Sequence, residues 1–529
     1  MLRIQQIKLA PGQPETLLPQ KAAQLLHIAP EQILSWQILR RAVDARDGVW
    51  LVYTLAVEVP GEEKLLTRCR SRNVSAYQPE SYSPPLPLPH TPKLPPVVVG
   101  AGPAGLFCAL TLAQAGCRPI LLERGKCVEE RETDVHRFWR EGILDPRSNV
   151  QFGEGGAGAF SDGKLNTGTR DLCHHFILET MVRCGAPESI LTDAKPHVGT
   201  DKLHIVLKNL RQELLTLGCD IRFGHQLTDL SQQSGALRSI TVTTENSTYS
   251  LPCERLILAL GHSARDSFSM LYQRKVPMEA KAFAVGVRIE HRQKDINAAQ
   301  YKAFAGHPAL PPTSYKLSCH LADGRGVFSF CVCPGGQVVA AASEEGMVAT
   351  NGMSEYARDR ENINGGLLVG VGPEDFGSSH PLAGIRFQQQ LERAAFIVGG
   401  SDYSAPAQRV GDFLQRCPSS GPGRVQPSYR PGVRFTSLDL CLPPVIAESL
   451  RQALPLLDKK LPGFAHEDAI LTAVESRSSS PVRLPRGADG QSPFSGLYPC
   501  GEGAGYAGGI LSAAADGIRT AEKVLEVYR

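Results

Sequence analysis

The stretch from Val97 to Gly125 constrains the fold of this chain more than any other segment. Three valines run into Gly-Ala-Gly-Pro-Ala-Gly at 100–105, an apolar helical segment follows, and the strand-like RPILLE ends at Glu123. A strand, a glycine turn, a helix and a second strand in this order place a dinucleotide pyrophosphate at a helix N-terminus. The segment therefore predicts an α/β domain that binds a dinucleotide.

The residues of this unit have separate roles. Gly100 makes the tight turn, Gly102 lets backbone N–H groups approach a pyrophosphate, and Gly105 lets the helix pack closely on the sheet. Glu123, 18 residues after Gly105, is placed to accept hydrogen bonds from the adenosine ribose hydroxyls.

Length and composition indicate a globular protein of several domains. The chain has 529 residues, and 56 Lys and Arg against 53 Asp and Glu give a net charge of +3, which argues against nucleic acid or an anionic membrane as a partner. No apolar run is long enough to span a membrane, and the N-terminus lacks the apolar core of a secretory signal. The 14 cysteines include no C-x-x-C, so we expect reduced thiols, a cytoplasmic location and no metal site.

Two segments precede the dinucleotide unit. Residues 1–78 read as strands and a helix, which predicts a small α/β module of ferredoxin-like type. Residues 79–96 hold eight prolines and predict a semi-rigid linker. Arg40, Arg41 and Arg46 cluster near one turn of the module, where a solvated basic edge is favoured over a phosphate or partner site.

A glycine-rich segment and a strand end supply further candidates. VQFGEGGAGAFSDGK, at 150–164, either lays bare backbone against a flat or phosphorylated ligand or forms a flexible loop. Its Lys164 either reaches a cofactor edge or an anionic substrate or forms a surface ion pair.

Residues 221–230 are predicted as one strand. A later apolar strand runs into Gly261 and His262, and His262 is either an acid or base or a structural histidine.

The pattern changes from about residue 270 to 470. Strands with irregular connections predict an inserted α+β domain there. Cys331 and Cys333 fall two apart in one strand and are expected on the same face. A redox pair is one interpretation, and two small apolar side chains in a buried strand is the favoured one.

The C-terminal stretch is the second segment that suits a cofactor. A short strand leads into Gly501, Glu502 and Gly503, and a helix with apolar residues at helical spacing starts near Gly509 and Ile510. The N-terminus of that helix favours negative charge. The glycine–acid turn followed by this helix favours a second cofactor-binding segment over a terminal helix that only packs on a sheet.

These two segments together resemble the large FAD-dependent oxidoreductases whose FAD-binding fold is split by a substrate domain. The chain also resembles, more closely, a bacterial family of FAD-dependent dehydrogenases, or NAD(P)/FAD-dependent oxidoreductases, of poorly defined substrate. The resemblance rests on RRAVDARDG, VVVGAGPAGL, QFGEGGAGAFSDGKLNTG, ALGHSARD, FAVGVRIEH, FCVCPGGQVVAAASEEGMVATNGMS, VESRSSSPVRLPR and YPCGEGAGYAGGILSAAADG. It implies a Rossmann-like FAD-binding domain at 97–269 and 471–529, split by a substrate domain at 270–470.

The resemblance also implies roles for single residues. Leu227 would contact adenine through its backbone, Glu502 would hold the ribityl chain or the pyrophosphate, and the helix at Ile510 would point at the flavin N1/C2 carbonyl. The predicted FAD contacts are Gly100, Gly102, Pro103, Ala104, Gly105, Glu123, Arg124, Gly155, Gly156, Leu227, Gly261, Glu502, Gly503, Gly509 and Ile510.

The leading hypothesis is an FAD-dependent oxidoreductase that moves a hydride between flavin N5 and a small-molecule substrate held under the 270–470 domain. Lys164, Arg477 and His262 are the catalytic candidates, and Arg477 alternatively closes the domain junction as a structural arginine. No second dinucleotide unit is present, so NADH or NADPH, if used, would bind transiently over the flavin. The alternatives are a tRNA-modifying flavoprotein and a flavin-dependent sensor in which residues 1–78 dock a partner.

Overall fold

The computed structural model describes residues 1–69, 71–79, 81–168 and 171–529. Over these residues the strands β1 to β22 are, in chain order, Leu2–Leu9, Ser35–Asp44, Trp50–Glu58, Val74–Ala76, Val97–Val99, Ile120–Glu123, Asp220–Phe223, Gln226–Gln233, Ala236–Thr243, Thr248–Pro252, Leu256–Leu258, Glu279–Ala280, Phe283–Arg292, Ser318–His320, Gly326–Ala340, Thr350–Met353, Asn362–Val371, Ala405–Arg409, Val433–Phe435, Ile470–Glu475, Val482–Arg483 and Leu497–Pro499. The helices α1 to α13 are Leu18–Leu26, Glu62–Arg68, Pro103–Gln114, Val128–Glu141, Cys173–Arg183, Thr200–Thr216, Arg265–Gln273, Gln293–Tyr301, Pro373–Phe376, Ala383–Gly399, Val410–Leu414, Pro444–Asp458 and Ile510–Tyr528.

A five-stranded parallel sheet is built from both ends of the chain. Its order is β22-β11-β5-β6-β7. The apolar strands β5, β11 and β22 are fully buried, as expected for parallel strands that helices cover. Helices α3 and α13 pack so closely that a Cβ at Gly517 would lie 2.1 Å from the Ala104 carbonyl oxygen. The predicted Rossmann-like α/β fold is confirmed, and the segments near residues 100 and 505 meet in it.

The segment at 221–230 differs from its prediction as a single strand. Gly224, with φ +71°, breaks it into β7 and β8. β7 joins the parallel sheet, whereas β8 turns away into a separate antiparallel sheet of order β10-β9-β8. A glycine with left-handed backbone ends one strand and redirects the next. The alternation of apolar residues across 221–230 does not reveal this break.

The inserted region forms an eight-stranded sheet of order β14-β15-β17-β13-β20-β18-β19, with β16 paired to β15. Its longest strand, β15, continues through register shifts at Cys333 and Gly336. Strand β20 belongs to this sheet, so the sheet extends to Glu475, past the expected boundary at 470.

The first residues form a small sheet of order β2-β3-β1-β4, packed on α1 around an apolar core. Arg41 ties this module to the rest of the chain through Asp193, with an N–O distance of 2.9 Å. Arg46 pairs with Asp44 in its own module at 2.8 Å. Two of the three clustered arginines therefore have carboxylate partners within the chain.

Candidate functional site

One long cleft runs along the carboxyl ends of the parallel strands and into the inserted sheet. Its walls are the glycine turn after β5, the loop after β11, the N-terminus of α13 and strands β15, β16 and β20. The carboxyl edge of a parallel sheet is where such folds bind ligands. Residues far apart in sequence, from Gly100 to Ala513, meet in this cleft.

Most of the predicted contact residues lie on the cleft wall. Those that line it are Gly100, Gly102, Pro103, Ala104, Glu123, Arg124, Gly156, Leu227, Gly261, Glu502, Gly509, Ile510, Lys164, His262 and Arg477. Gly105, Gly155 and Gly503 do not. Their contact with FAD stays a prediction, but their packing gives them another role.

Gly105 and Gly503 hold the backbone segments behind the wall close together. A Cβ on Gly105 would lie 1.8 Å from the carbonyl oxygen of Gly100, and one on Gly503 would lie 2.0 Å from that of Leu260. Gly155 has φ +84°, and a Cβ there would meet the Leu207 side chain at 2.4 Å. Each glycine is therefore required by packing.

Glu123 ends β6 beneath the glycine turn. Its carboxylate accepts backbone hydrogen bonds from Ala101 at 2.8 Å, Gly125 at 2.9 Å and Gly153 at 3.0 Å. Three N–H donors fix the carboxylate against both turns, and lone-pair capacity remains for a ribose hydroxyl.

The neighbours of Glu123 form the end of the cleft where the sequence resemblance predicts adenine. The Arg124 guanidinium forms two hydrogen bonds with Asp266, at 2.9 and 3.0 Å, and lies 4.3 Å from the centroid of the Phe152 ring. Leu227 is buried at the start of β8 and lines the same end.

A buried arginine outside every predicted motif shapes the glycine-rich segment. Arg131 on α4 is fully buried and donates to the carbonyl oxygens of Asn149, Val150 and Glu154 at 2.8, 2.9 and 2.6 Å. The segment is therefore clamped against α4. Arg131 appears in the sequence only as one charge in a polar helix.

The wall leaves room for a ligand at the glycines nearest α13. A Cβ on Gly261, Gly508 or Gly509 would meet no heavy atom within 4 Å, although all three line the cleft. The 19-residue α13 begins at Ile510 and directs its free N–H groups into this space. An open floor, a helix N-terminus and a glycine turn fit a flavin dinucleotide.

Glu502 and His262 are neighbours on the wall of this space. The Glu502 Oε1 lies 3.7 Å from the His262 Nε2. Burial raises the pKa of Glu502 to about 7 and lowers that of His262 to about 3, where the charges of Arg477 and Arg265 act in the same direction. His262 is therefore neutral at pH 7, and its buried Nδ1 has no hydrogen-bond partner among the residues that the structure describes.

The raised pKa of Glu502 gives the FAD-free protein a specific pH dependence. Burial favours the protonated form of the Glu502 carboxyl in the folded protein. Protonation of Glu502 therefore contributes fully to the free energy of unfolding below the unfolded-state pKa near 4.3, and this contribution is lost as the pH rises through about 7. We expect Glu502→Gln to raise the melting temperature relative to wild type more at pH 8 than at pH 5. Thermal unfolding at both pH values measures this, and the exposed Glu63→Gln is the control. An equal effect of Glu502→Gln at both values contradicts the assignment.

Lys164 lies at the far end of the cleft, in a cluster with a net positive charge. Its Nζ lies 3.2 Å from the Asp162 carboxylate and 3.7 Å from the Cys333 Sγ. Asp162 also forms an ion pair with Arg358 at 2.6 Å. Lys164 therefore forms an ion pair, as its alternative interpretation predicts, but the pair faces the cleft.

Arg477 is held in a buried network between the two sheets. Its guanidinium donates to Glu392 at 2.7 and 2.9 Å, to Ser343 at 2.6 Å and to Ser263 at 3.1 Å, and its side chain is 4% exposed. Arg265 forms hydrogen bonds with the same Glu392 carboxylate at 2.7 and 3.0 Å. This arrangement favours the structural interpretation of Arg477.

A second buried ion pair lies beside Cys331, at the part of the cleft formed by the inserted sheet. Arg288 on β13 bonds both oxygens of Glu475 at 2.9 Å and the Cys331 carbonyl oxygen at 2.8 Å. Thr350 also donates to Glu475, at 3.2 Å. This pair was not predicted from the sequence, although charged residues inside the apolar strands β13 and β20 are its signal.

Three family matches cover most of the chain. The family described as "FAD binding domain" matches residues 93–287, and that described as "FAD-dependent protein, C-terminal domain-like" matches residues 282–478. Residues 1–59 match a domain of unknown function. The fold, the cleft and these matches define an FAD-dependent oxidoreductase.

A relative that is similar over the full length identifies the family to which the whole chain belongs. An "Uncharacterized protein" of Clostridium beijerinckii is 46% identical over 531 residues, which cover 100% of this chain and 99% of the relative. The chain belongs to the same family of FAD-dependent proteins, as the sequence resemblance predicts. Among the helices of the described ranges, none has the length and apolar character needed to cross a membrane.

Solved structures give more distant matches. The flavin-dependent brominase Bmp2 is 12% identical, with 82% of this chain and 78% of that chain covered and a TM-score of 0.37. A geranylgeranyl bacteriochlorophyll reductase-like protein from Thermoplasma acidophilum is also 12% identical, with 82% and 79% covered and a TM-score of 0.36. At these scores, neither match informs the chemistry.

Proposed function

We propose that the protein transfers a hydride between FAD bound along the cleft and a small anionic molecule bound beside Lys164, with NADH or NADPH as a transient donor. The main observation is the continuity of the cleft from the Gly100 turn, past the N-terminus of α13, to Lys164 and Cys331. A cofactor along the first part leaves the second part for a substrate.

The charges around Lys164 support an anion. Lys164 and Arg358 share the single carboxylate Asp162, so these three side chains carry one positive charge in excess, which stays uncompensated when the neighbouring Cys331 is a thiol or part of a disulfide. The neighbouring Arg288 is balanced by Glu475. A partly buried excess charge favours a ligand that supplies a carboxylate or phosphate.

The protein contributes binding, orientation and electrostatics. Bound FAD supplies the hydride chemistry. The N-terminus of α13 favours negative charge by about 0.3–2 kcal/mol, Lys164 orients the anion, and Glu502, with a pKa of about 7, is able to hold or release a proton at the cleft wall near neutral pH.

An anaerobic titration tests the proposal. The FAD-loaded protein is mixed with NADH and then NADPH, and the flavin absorbance is followed. Reoxidation or reduction is then screened with matched sets of anionic compounds, such as 2-hydroxy acids and enone carboxylates, and their neutral esters. Turnover of anions over esters supports the proposal. Bleaching by neither nucleotide contradicts the proposed donor, and an equal response to acids and esters contradicts the anionic substrate.

Lys164→Met tests the anion site directly. A hydrogen bond to a charged group contributes about 1.5–3 kcal/mol, so we expect KM for the anionic substrate to rise about 10- to 100-fold. Lys164→Arg retains the charge and should recover part of the loss. Steady-state kinetics measure this, with the exposed Lys195→Met as the control. The proposal fails if KM for the anion and for its neutral ester change equally in Lys164→Met.

A further inference from the structure

Strand β15 is interrupted where it reaches the cleft. Its pairing with β17 shifts register between Phe330 and Cys333, and Cys331 has φ +42°. Left-handed backbone is uncommon outside glycine, and bulges of this kind redirect side chains next to active sites. Strand β15 is therefore not regular between Cys331 and Cys333, so the alternation from which their shared face was predicted does not apply there.

The bulge brings the two thiols together. In a regular strand, residues two apart are separated by about 6.6 Å, which exceeds the Cβ separation of about 3.5–4.5 Å that a disulfide needs. Here the Cys333 Sγ lies 3.3 Å from the Cys331 carbonyl oxygen, so the Cys333 side chain turns back onto Cys331. Cys331 lines the cleft, whereas Cys333 is buried behind it.

Two cations act on this pair. The Lys164 Nζ lies 3.7 Å from the Cys333 Sγ, and Arg288 donates to the Cys331 carbonyl oxygen. The hydrogen bond from Cys333, followed by the charges of Lys164 and Arg288, holds the pKa of Cys331 well below its usual value, while the same hydrogen bond and burial raise the pKa of Cys333. The other charged groups near the pair are Asp162, Glu475 and Glu502.

We propose that Cys331 and Cys333 form a redox-active dithiol that exchanges two electrons with the FAD in the same cleft. Oxidation removes two protons and two electrons from the thiols and forms the Cys331–Cys333 S–S bond. The two electrons pass to oxidised FAD, which becomes reduced. The reverse reaction uses reduced FAD to open the disulfide. This activity is separate from the proposed hydride transfer to an anion, because it needs only the chain and FAD.

Electron stoichiometry tests the proposal. The FAD-loaded protein is oxidised with diamide, freed of reagent and titrated anaerobically with dithionite. Wild type should consume about four electrons per FAD, two for the flavin and two for the disulfide, and Cys331→Ser and Cys333→Ser about two. Cys417→Ser, which removes a partly exposed cysteine outside the cleft, should behave as wild type. A wild-type value of about two overturns the proposal.

A measurement on wild type avoids variants that fail to fold. In the FAD-free protein at pH 6.5, iodoacetamide should label Cys331 at least about tenfold faster than Cys417, because only the thiolate reacts. After diamide treatment, the peptide that contains both cysteines should be about two mass units lighter and resist labelling until it is reduced. Equal labelling rates, or free thiols in that peptide after oxidation, overturn the proposal.

Discussion

Glu392→Ala should lower the free energy of unfolding by about 3–5 kcal/mol. The Glu392 carboxylate is fully buried and accepts hydrogen bonds from both Arg265 and Arg477, whose side chains are each 4% exposed. Removal of the carboxylate leaves two buried guanidinium groups without that counter-charge, and breaking a buried pair in this way costs about that much. Urea unfolding at pH 7, followed by circular dichroism, measures the effect.

The pH dependence of this deficit follows from the same contacts. Although burial opposes ionisation, the charges of Arg265 and Arg477 keep the pKa of Glu392 well below its usual value. Its stabilising contribution is therefore complete above the unfolded-state pKa near 4.3 and is lost only as the pH falls toward the lower folded-state value. The deficit of Glu392→Ala should stay constant between pH 8 and about pH 6.

Glu355→Ala is the matched control for the buried pair. Glu355 pairs with Arg360 at 3.0 Å, but both side chains are more than 40% exposed. An exposed pair contributes about 0–1 kcal/mol. Similar losses in Glu355→Ala and Glu392→Ala would contradict the view that the network between the sheets is a main source of stability.

Gly105→Val should abolish FAD binding and lower stability by about 1–3 kcal/mol or more. Even the first carbon of the new side chain would overlap the Gly100 carbonyl oxygen at 1.8 Å and approach the Ala259 Cβ at 3.3 Å, so α3 must move away from β5 and β11. Overpacking of this kind costs about 1–3 kcal/mol. Because the same helix presents its N-terminus to the cleft, the displacement also disrupts the proposed pyrophosphate site. Flavin retention on gel filtration and the melting temperature measure both effects.

Substitutions at two other glycines distinguish the effect of lost packing from the effect of lost contact with FAD. Gly421→Ala introduces a Cβ that meets nothing within 4 Å and lies outside the cleft, so FAD binding should not change. Gly261→Ala also meets no protein atom, but it lines the cleft and should weaken FAD binding at nearly unchanged stability. If Gly261→Ala retained full FAD affinity, the assigned path of the cofactor would be wrong.

The features that depend on local sequence pattern could be predicted from the sequence. The valine run, the glycines at 100–105 and the acidic end of β6 follow in the order that a dinucleotide fold requires, and the structure has a strand, a turn, a helix and a parallel strand there. The family matches confirm FAD as the cofactor. The roles of single residues in the cleft remain predictions.

The missed features depend on contacts between distant residues. Glu392 lies on α10, Arg265 on α7 and Arg477 just after β20, and no local periodicity relates them. The clamp by Arg131 likewise depends on carbonyl groups in another segment. The bulge at Cys331 was missed for a different reason, since alternation assumes that the strand is regular.

The position of β22 has a consequence for biosynthesis. This strand pairs with β11 and is followed by the helix that closes the cleft. During translation, the β11 edge therefore stays unpaired until residues 497–510 emerge, after the whole inserted sheet. The nascent chain is thus expected to capture its cofactor only after synthesis is nearly complete, and truncation before residue 497 should leave an exposed strand edge that promotes aggregation.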